Sequence, residues 1–170
     1  MTDIKWTRKD LLGMEDLSPD EITFILDTAE EFKKVNERRV KKVPVLRGKT
    51  VVNFFVEPST RTRFSFETEM LRLGGQEITL ENEDYSSIKK GETLADTARI
   101  MSGYADVIVM RHPKEHSVAS FADYASVPVI NAGDGAHQHP TQALVDLYTI
   151  FREKSRLENL TIGFMGDLKY

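Results

Sequence analysis

The chain has 170 residues, of which 40% are hydrophobic and 29% charged, a balance typical of a folded globular protein. Its 27 acidic and 23 basic residues give a net charge of −4, which provides no overall attraction for nucleic acid or anionic membranes. The absence of cysteine excludes a disulfide framework, a thiolate zinc site and cysteine catalysis.

The chain contains no apolar run near the roughly 20 residues of a membrane span, and its N-terminus lacks the apolar segment of a signal peptide. We therefore expect a cytoplasmic protein with one main domain.

A first helix is predicted to begin after Ser18, because Ser18, Pro19 and Glu21 form the pattern of a capping box with proline in the first turn. Apolar residues then recur every three or four positions until the helix is expected to end near Asn36. The basic run that follows could bind a nucleotide or nucleic acid, but solvated cations at a helix C-terminus are the simpler interpretation. This run comprises Arg38, Arg39, Lys41 and Lys42.

From residue 50 onward, strand-like and helix-like segments alternate. Residues 50–56 are β-branched or aromatic almost throughout, as is typical of a strand buried on both faces. The alternation predicts an α/β fold of three layers (αβα), in which helices cover both faces of a central parallel sheet of about four strands. The predicted strands are 50–56, 76–80, 106–110 and 127–131, and the predicted helices are 60–73, 92–104, 117–124 and 141–151.

Residues 160–164 have the composition of a further buried strand, and Gly166 follows as in a strand-to-helix turn. We interpret residues 1–155 as one domain and residues 156–170 as the start of a second. The alternative is a terminal edge strand on the same sheet. In the first interpretation the strand should be frayed, because the sheet to which it belongs is not part of these residues.

The loop after the first strand carries the groups of an anion site. Ser59 stands where a helix N-cap is expected, so the backbone N–H groups of the next turn should be unpaired. Hydroxyls of Ser59, Thr60 and Thr62 and the guanidinium of Arg61 would surround that point, which suits a phosphate. The loop lacks the glycines and lysine of a nucleotide P-loop, which favours a small phosphate ester over a nucleotide. Alternatively, the hydroxyls only cap the helix and Arg61 forms a surface ion pair.

Two later strand ends carry groups that could join this site. Arg111 follows the strand 106–110, while His139 and Gln142 lie three residues apart on one face at the start of a helix. A neutral imidazole there could donate a hydrogen bond to a carbonyl oxygen that gains charge. Histidines in near pairs could suggest a metal, but no further ligand is suitably spaced, and we predict none. The pairs are His112 with His116 and His137 with His139.

A fourth loop contains Ser86, Lys89 and Lys90 before a glycine. Two adjacent lysines are usually surface charge. In the other interpretation they reach an anion in the pocket of another subunit.

Five motifs, in this order along the chain, resemble those of the aspartate/ornithine carbamoyltransferase family. The run STRTR at 59–63 resembles its carbamoyl-phosphate motif, and HPTQ at 139–142 resembles a second family motif. The runs at 89–92, 110–113 and 131–135 are similar to the aspartate branch rather than the ornithine branch. The resemblance covers essentially the whole chain.

The resemblance implies transfer of a carbamoyl group from carbamoyl phosphate to L-aspartate, giving N-carbamoyl-L-aspartate and phosphate in pyrimidine biosynthesis, without a cofactor. By the same resemblance, backbone amides and side chains of the motif would hold the phosphate, and Arg111 would bridge the phosphate and the carbonyl oxygen. The motif residues concerned are Ser59, Thr60, Arg61 and Thr62.

Three residues would polarise the carbonyl by this resemblance, and Gln142 would accept a hydrogen bond from the carbamoyl NH2 group. The three are Thr62, Arg111 and His139. Ser86 and Lys90, with Lys89 less firmly assigned, would come from the neighbouring subunit of a homotrimer with shared active sites. Whether a regulatory or dihydroorotase subunit attaches stays open.

Complete family members have two domains of similar size, and their aspartate-binding residues would lie beyond Tyr170. We therefore expect a carbamoyl-phosphate-binding half with little or no transferase activity by itself. A non-catalytic binding or assembly module of the same fold is the second hypothesis. The completeness of the motifs favours the first.

Overall fold

The computed structural model of the chain describes residues 4–81 and 91–166. Within these residues, α1 is followed by regularly alternating strands and helices, which confirms the predicted α/β class. The helices are α1 (Pro19–Asn36), α2 (Thr60–Leu73), α3 (Leu94–Ser102), α4 (Ser117–Ala122) and α5 (Pro140–Lys154). The strands are β1 (Thr50–Phe55), β2 (Gln76–Glu81), β3 (Val107–His112) and β4 (Val129–Asp134).

The four strands form one parallel sheet in the order β2-β1-β3-β4. Beside β4, Leu11 forms an isolated parallel bridge with Ile130, through N–H···O bonds of 2.9 Å to Val129 and from Asn131. The N-terminal segment therefore pairs with part of the outer edge of β4.

Helices cover both faces of the sheet, as predicted. On one face, α3 and α4 pack on the strands in a core that contains Phe54, Ile108 and Phe121. On the other face, Met70 of α2 packs with Val51 and Val109. The outer helix α1 is joined to α5 through Glu30, which accepts hydrogen bonds from Tyr148 and Arg152.

The capping box predicted for α1 is present. Ser18 Oγ accepts from the Glu21 backbone N–H at 3.2 Å, and Glu21 Oε2 accepts from the Ser18 N–H at 2.8 Å. Arg8 also donates to Glu21 at 2.7 Å, and this hydrogen bond, with the one from Ser18, lowers the pKa of Glu21 to about 2.

Two strands extend further than the sequence predicted. Arg111 and His112 were expected beyond a strand, yet they are the last residues of β3, because Arg111 continues the pairing with Phe55 of β1. Strand β4 likewise continues to Asp134, which pairs with His112 across an irregularity in the register. Residues 132–134, which follow the predicted strand 127–131, thus belong to the sheet.

Residues 156–166 adopt no regular secondary structure. The alternative of an edge strand at 160–164 on the same sheet is therefore wrong, while the absence of strand pairing in this segment agrees with the fraying expected in the first interpretation. The side chains of Phe164 and Met165 are 81% and 99% exposed. A strand is stable only when a neighbour satisfies its backbone groups, and no described strand pairs with this segment. The domain boundary at residue 155 stays a prediction.

No helix among the described residues is long and apolar enough to cross a membrane.

We predict that Phe121→Ala lowers the free energy of unfolding by about 3–5 kcal/mol, because Phe121 is fully buried and its ring centroid lies 5.9 Å from that of Phe54. Urea denaturation measures the loss. The matched control is Phe151→Ala in α5, where the ring is 41% exposed and the loss should be much smaller. Equal losses in the two variants would contradict the burial of Phe121 in the core between the sheet and helices α3 and α4.

A candidate anion-binding site at the carboxyl edge of the sheet

A cleft of about 890 Å3 lies between α2 and α5 above strands β1, β3 and β4. One part of its wall is apolar and includes Val51, Met70 and Val109. The other part is polar and brings together most of the residues that the sequence singled out. These are Ser59, Arg61, Thr62, Arg111, His139 and Gln142.

The N-terminus of α2 forms one side of the polar part. Ser59 occupies the N-cap position, as predicted, but its hydroxyl donates to Thr62 Oγ1 at 3.0 Å and makes no capping hydrogen bond to the backbone. The first turn of α2 contains no acidic residue. The partial positive charge of the helix N-terminus is therefore left for an external anion, beside the exposed Arg61.

Arg111 enters the cleft from the end of β3 and is held by two acceptors. Its Nη1 donates to the Ala132 carbonyl at 3.0 Å, and its Nη2 lies 3.0 Å from Glu57 Oε2. Its Nε is buried and has no hydrogen-bond partner among the described residues. The guanidinium is thus oriented by β4 on one side and by the β1–α2 loop on the other.

His139 caps α5 with its ring. Its Nδ1 accepts from the Gln142 backbone N–H at 3.3 Å and lies 3.3 Å from Thr141 Oγ1. Burial, and then the positive charge of Arg111, lower the pKa of His139 below its ordinary value, while Asp146 acts in the opposite direction. The ring is therefore neutral at pH 7. Because Nδ1 serves as the acceptor, the hydrogen bonds assign its proton to Nε2, which can donate to a ligand.

Gly133 allows Arg111 and His139 to approach each other. Its φ of +120° is a conformation that side chains rarely tolerate, and a Cβ there would stand 2.7 Å from Arg111 Nη1 and 3.4 Å from His139 Cδ2. A glycine at this position leaves the two groups side by side.

The remaining predicted residues are placed less directly. Gln142 lines the cleft, but its Nε2 donates to Asp146 at 3.0 Å. Thr60 begins α2 and its side chain is not among those that line the cleft. Ser86, Lys89 and Lys90 lie outside the described residues.

Sequence reasoning missed the carboxylates that organise the site. Glu57 stands two residues before the STRTR motif and pairs with Arg111, and Asp134 is buried at the end of β4. An acidic residue so close to a cationic motif was a usable signal for Glu57. Arg63, although part of the motif, forms ion pairs with Glu67 and Glu81 instead of lining the cleft.

One histidine contact in the structure joins members of the two different sequence pairs. His116 and His137 are in ring contact, with centroids 4.0 Å apart, and His112 Nδ1 accepts from the Lys114 N–H. Within residues 4–81 and 91–166, no group of three or more histidine and acidic side chains is arranged to hold a metal ion.

Comparison with known sequences matches residues 9–152 to the model of the "Aspartate/ornithine carbamoyltransferase, carbamoyl-P binding domain". The aspartate carbamoyltransferase catalytic subunit of Archaeoglobus fulgidus is 58% identical over 160 residues, which are 94% of this chain and 53% of that protein. Its counterpart in Methanocaldococcus jannaschii is 52% identical over 163 residues, 95% of this chain and 53% of that protein. The chain spans about half the length of these relatives.

Solved structures agree with these matches. The catalytic subunit of M. jannaschii aspartate transcarbamoylase superposes with a TM-score of 0.81 at 51% identity, covering 88% of this chain and 48% of that one. A Trypanosoma cruzi aspartate transcarbamoylase in complex with carbamoyl phosphate and aspartate gives a TM-score of 0.81 at 38% identity, over 87% of this chain and 46% of that one.

Backbone strain from an alanine at a positive φ costs about 1–3 kcal/mol. We predict that Gly133→Ala lowers the free energy of unfolding by more than this, because the added methyl group also collides with Arg111. Gly48→Ala is the matched control: Gly48 has a φ of +81° and nothing within 4 Å of a Cβ, so it reports the strain alone. Urea denaturation of both variants measures the difference. If Gly48→Ala costs as much as Gly133→Ala, Gly133 does not make room for the guanidinium.

Proposed function

Because the chain belongs to the aspartate/ornithine carbamoyltransferase family, we propose that it is the carbamoyl-phosphate-binding half of an aspartate carbamoyltransferase, acting in the cytoplasm in pyrimidine biosynthesis. The complete enzyme would convert carbamoyl phosphate and L-aspartate into N-carbamoyl-L-aspartate and phosphate. The observation that carries the proposal is the convergence of three groups in one cleft. They are the uncapped N-terminus of α2, the guanidinium of Arg111 and the neutral ring of His139.

The phosphate group would lie at the N-terminus of α2. Unpaired backbone N–H groups, the hydroxyls of Ser59 and Thr62 and the guanidinium of Arg61 are the donors that a phosphate dianion prefers. The contribution proposed for Thr60 is its backbone, at the first position of the helix.

The carbonyl oxygen would lie between Arg111, Thr62 and His139. As the amine of aspartate attacks the carbamoyl carbon, negative charge grows on this oxygen, and donors already held in place stabilise it without reorganisation. His139 suits the role because its Nδ1 is occupied as an acceptor, which leaves Nε2–H as the donor. Gln142 would turn from Asp146 to accept from the carbamoyl NH2 group.

The chemical step forms one C–N bond and breaks one C–O bond. The amine nitrogen of aspartate bonds to the carbamoyl carbon, phosphate leaves with the electron pair of the C–O bond, and the departing phosphate takes up the proton that the amine nitrogen loses. The step needs no cofactor and no covalent enzyme intermediate. The groups that bind aspartate would lie in the half of the relatives' length that this chain does not span. We expect residues 1–170 alone to bind carbamoyl phosphate with little or no transferase turnover.

We also propose a homotrimer whose active sites are shared between subunits. Its support is topological: β2 is an edge strand, and residues 82–90 follow its carboxyl end. A chain segment that follows an edge strand has no further strand of the same sheet on that side, so it can reach a neighbouring copy. There Ser86 and Lys90 would contact the phosphate, with Lys89 less firmly assigned. Attachment of a regulatory or dihydroorotase subunit stays open.

We predict that carbamoyl phosphate binds in a saturable manner and that Arg61→Ala weakens binding roughly 10- to 100-fold, as expected for the loss of one charge-assisted hydrogen bond. Titration calorimetry measures both affinities. Arg72→Ala is the matched control, because it removes the same charge from the opposite end of α2, where Arg72 pairs with Glu69. Equal affinities of the two variants, or no binding by the natural chain, would contradict a preformed phosphate site.

We predict that sedimentation equilibrium gives three times the chain mass of 19.4 kDa. Arg61→Ala and Lys90→Ala should each bind carbamoyl phosphate weakly. A mixture of the two, after subunit exchange, should regain about one native site in four, since a cyclic trimer pairs neighbours at random. A monomeric chain, or a mixture that regains no binding, would overturn the shared site.

A further inference from the structure

Asp134 is a buried carboxylate for which the proposed chemistry has no use. It lies at the end of β4 and is 1% exposed. A charge in this position is costly unless several donors surround it. The hydrogen-bond donors that surround Asp134 therefore indicate its structural role.

Four N–H groups donate to the two oxygens of Asp134. Oδ1 accepts from Asn131 Nδ2 at 3.2 Å and from the Gln138 backbone at 2.9 Å. Oδ2 accepts from the His116 backbone at 3.0 Å and lies 3.1 Å from His137 Nδ1. These donors belong to β4, to the loop that follows it and to the N-terminal end of α4. The carboxylate thus joins three segments, and its four acceptor positions are filled.

The backbone that Asp134 holds by these hydrogen bonds also positions Arg111 and His139 in the cleft. The Asp134 N–H donates to the Gln138 carbonyl at 3.0 Å, which closes the turn just before His139. Asn131 Oδ1 accepts from the Gly133 N–H at 2.8 Å, which orients the peptide whose Ala132 carbonyl receives Arg111. One end of the turn therefore supports Arg111 and the other supports His139.

We propose that Asp134 is a positioning residue, whose carboxylate fixes the turn 131–138 and thereby holds the guanidinium of Arg111 beside the imidazole of His139. What these two groups do to a ligand rests on the proposed function. Their placement by Asp134 is a property of the protein without ligand and can be tested separately.

Asparagine cannot replace this carboxylate, although it has nearly the same volume. Its side chain offers one acceptor oxygen, and its NH2 group must face either the Asn131 and Gln138 donors or the His116 and His137 donors. Each oxygen of Asp134 accepts from one backbone N–H group, so in either orientation the NH2 group faces a backbone donor and at least one of the four hydrogen bonds is lost. We expect the turn to open and Arg111 and His139 to separate.

The pKa of His139 reports on this separation. Burial lowers it most, and Arg111 from β3 lowers it further, while Asp146 on α5 raises it. Opening the turn reduces the first two effects and raises the pKa. Simple loss of the negative charge of Asp134 would do the opposite, because a nearby carboxylate stabilises an imidazolium. The sign of the shift therefore separates positioning from direct electrostatics.

The test is an NMR titration of the His139 ring in the natural chain without ligand, with the signal assigned by its loss in His139→Gln. Arg111→Ala calibrates the upward shift that removal of the guanidinium produces. Asp134→Asn should shift the pKa upward, in the same direction as Arg111→Ala. Asp123→Asn is the matched control, because it removes an exposed carboxylate at the end of α4 and should leave the pKa of His139 depressed.

An unchanged or lowered pKa in folded Asp134→Asn would overturn the proposal. Chemical-shift dispersion shows whether each variant is folded. If Asp134→Asn does not fold, the pKa of His139 is measured in Asn131→Ala instead, and an upward shift is again expected. This substitution changes no charge and removes the hydrogen bonds that hold the other end of the same turn. No ligand is used, so a failure of carbamoyl phosphate to bind would count against the proposed function and leave this result intact.

Discussion

The parallel pairing of β1 with β3, and of β3 with β4, is the constraint on which the site depends. It brings the carboxyl ends of these strands to the same edge of the sheet, where ligands of open α/β sheets bind. The N-terminus of α2 follows β1, Arg111 is the second-last residue of β3, and the turn to His139 follows β4. Groups that are distant in the sequence thus share one cleft without any long loop.

The four longer helices differ in the charge of their first turns; the short helix α4 also lacks an acidic residue there but does not line the cleft. In α1 and α3, acidic residues stand in the first turn and a side-chain oxygen accepts from the backbone. The first turns of α2 and α5 contain no acidic residue, and both face the cleft. The stabilisation that a carboxylate would give to these two helices is absent, and the positive ends of their dipoles remain available to an anion.

Arg111 links the charge of the site to its proton chemistry. The same guanidinium that would attract an anion lowers the pKa of His139 and so favours its neutral form. Glu57 and the Ala132 carbonyl hold the guanidinium at a distance from which both effects operate. A cation that moved freely on the surface would neither attract an anion to this point nor lower the pKa of His139 consistently. The position of the arginine inside a strand restricts that motion.

The sequence by itself determined the α/β class, most of the elements, and the residue types of an anion site at strand ends, because burial on both faces and helix periodicity leave local patterns. It could not determine that β3 and β4 would continue through Arg111 and Asp134, since backbone pairing depends on a neighbour brought up by the fold. For the same reason residues 160–164, which have the composition of a strand, form none where no described strand adjoins them. Only the tertiary structure decided that Glu57, Asp134 and Gly133 would set the distance between Arg111 and His139. Such distances come from contacts between segments far apart in the chain, and no local pattern encodes them.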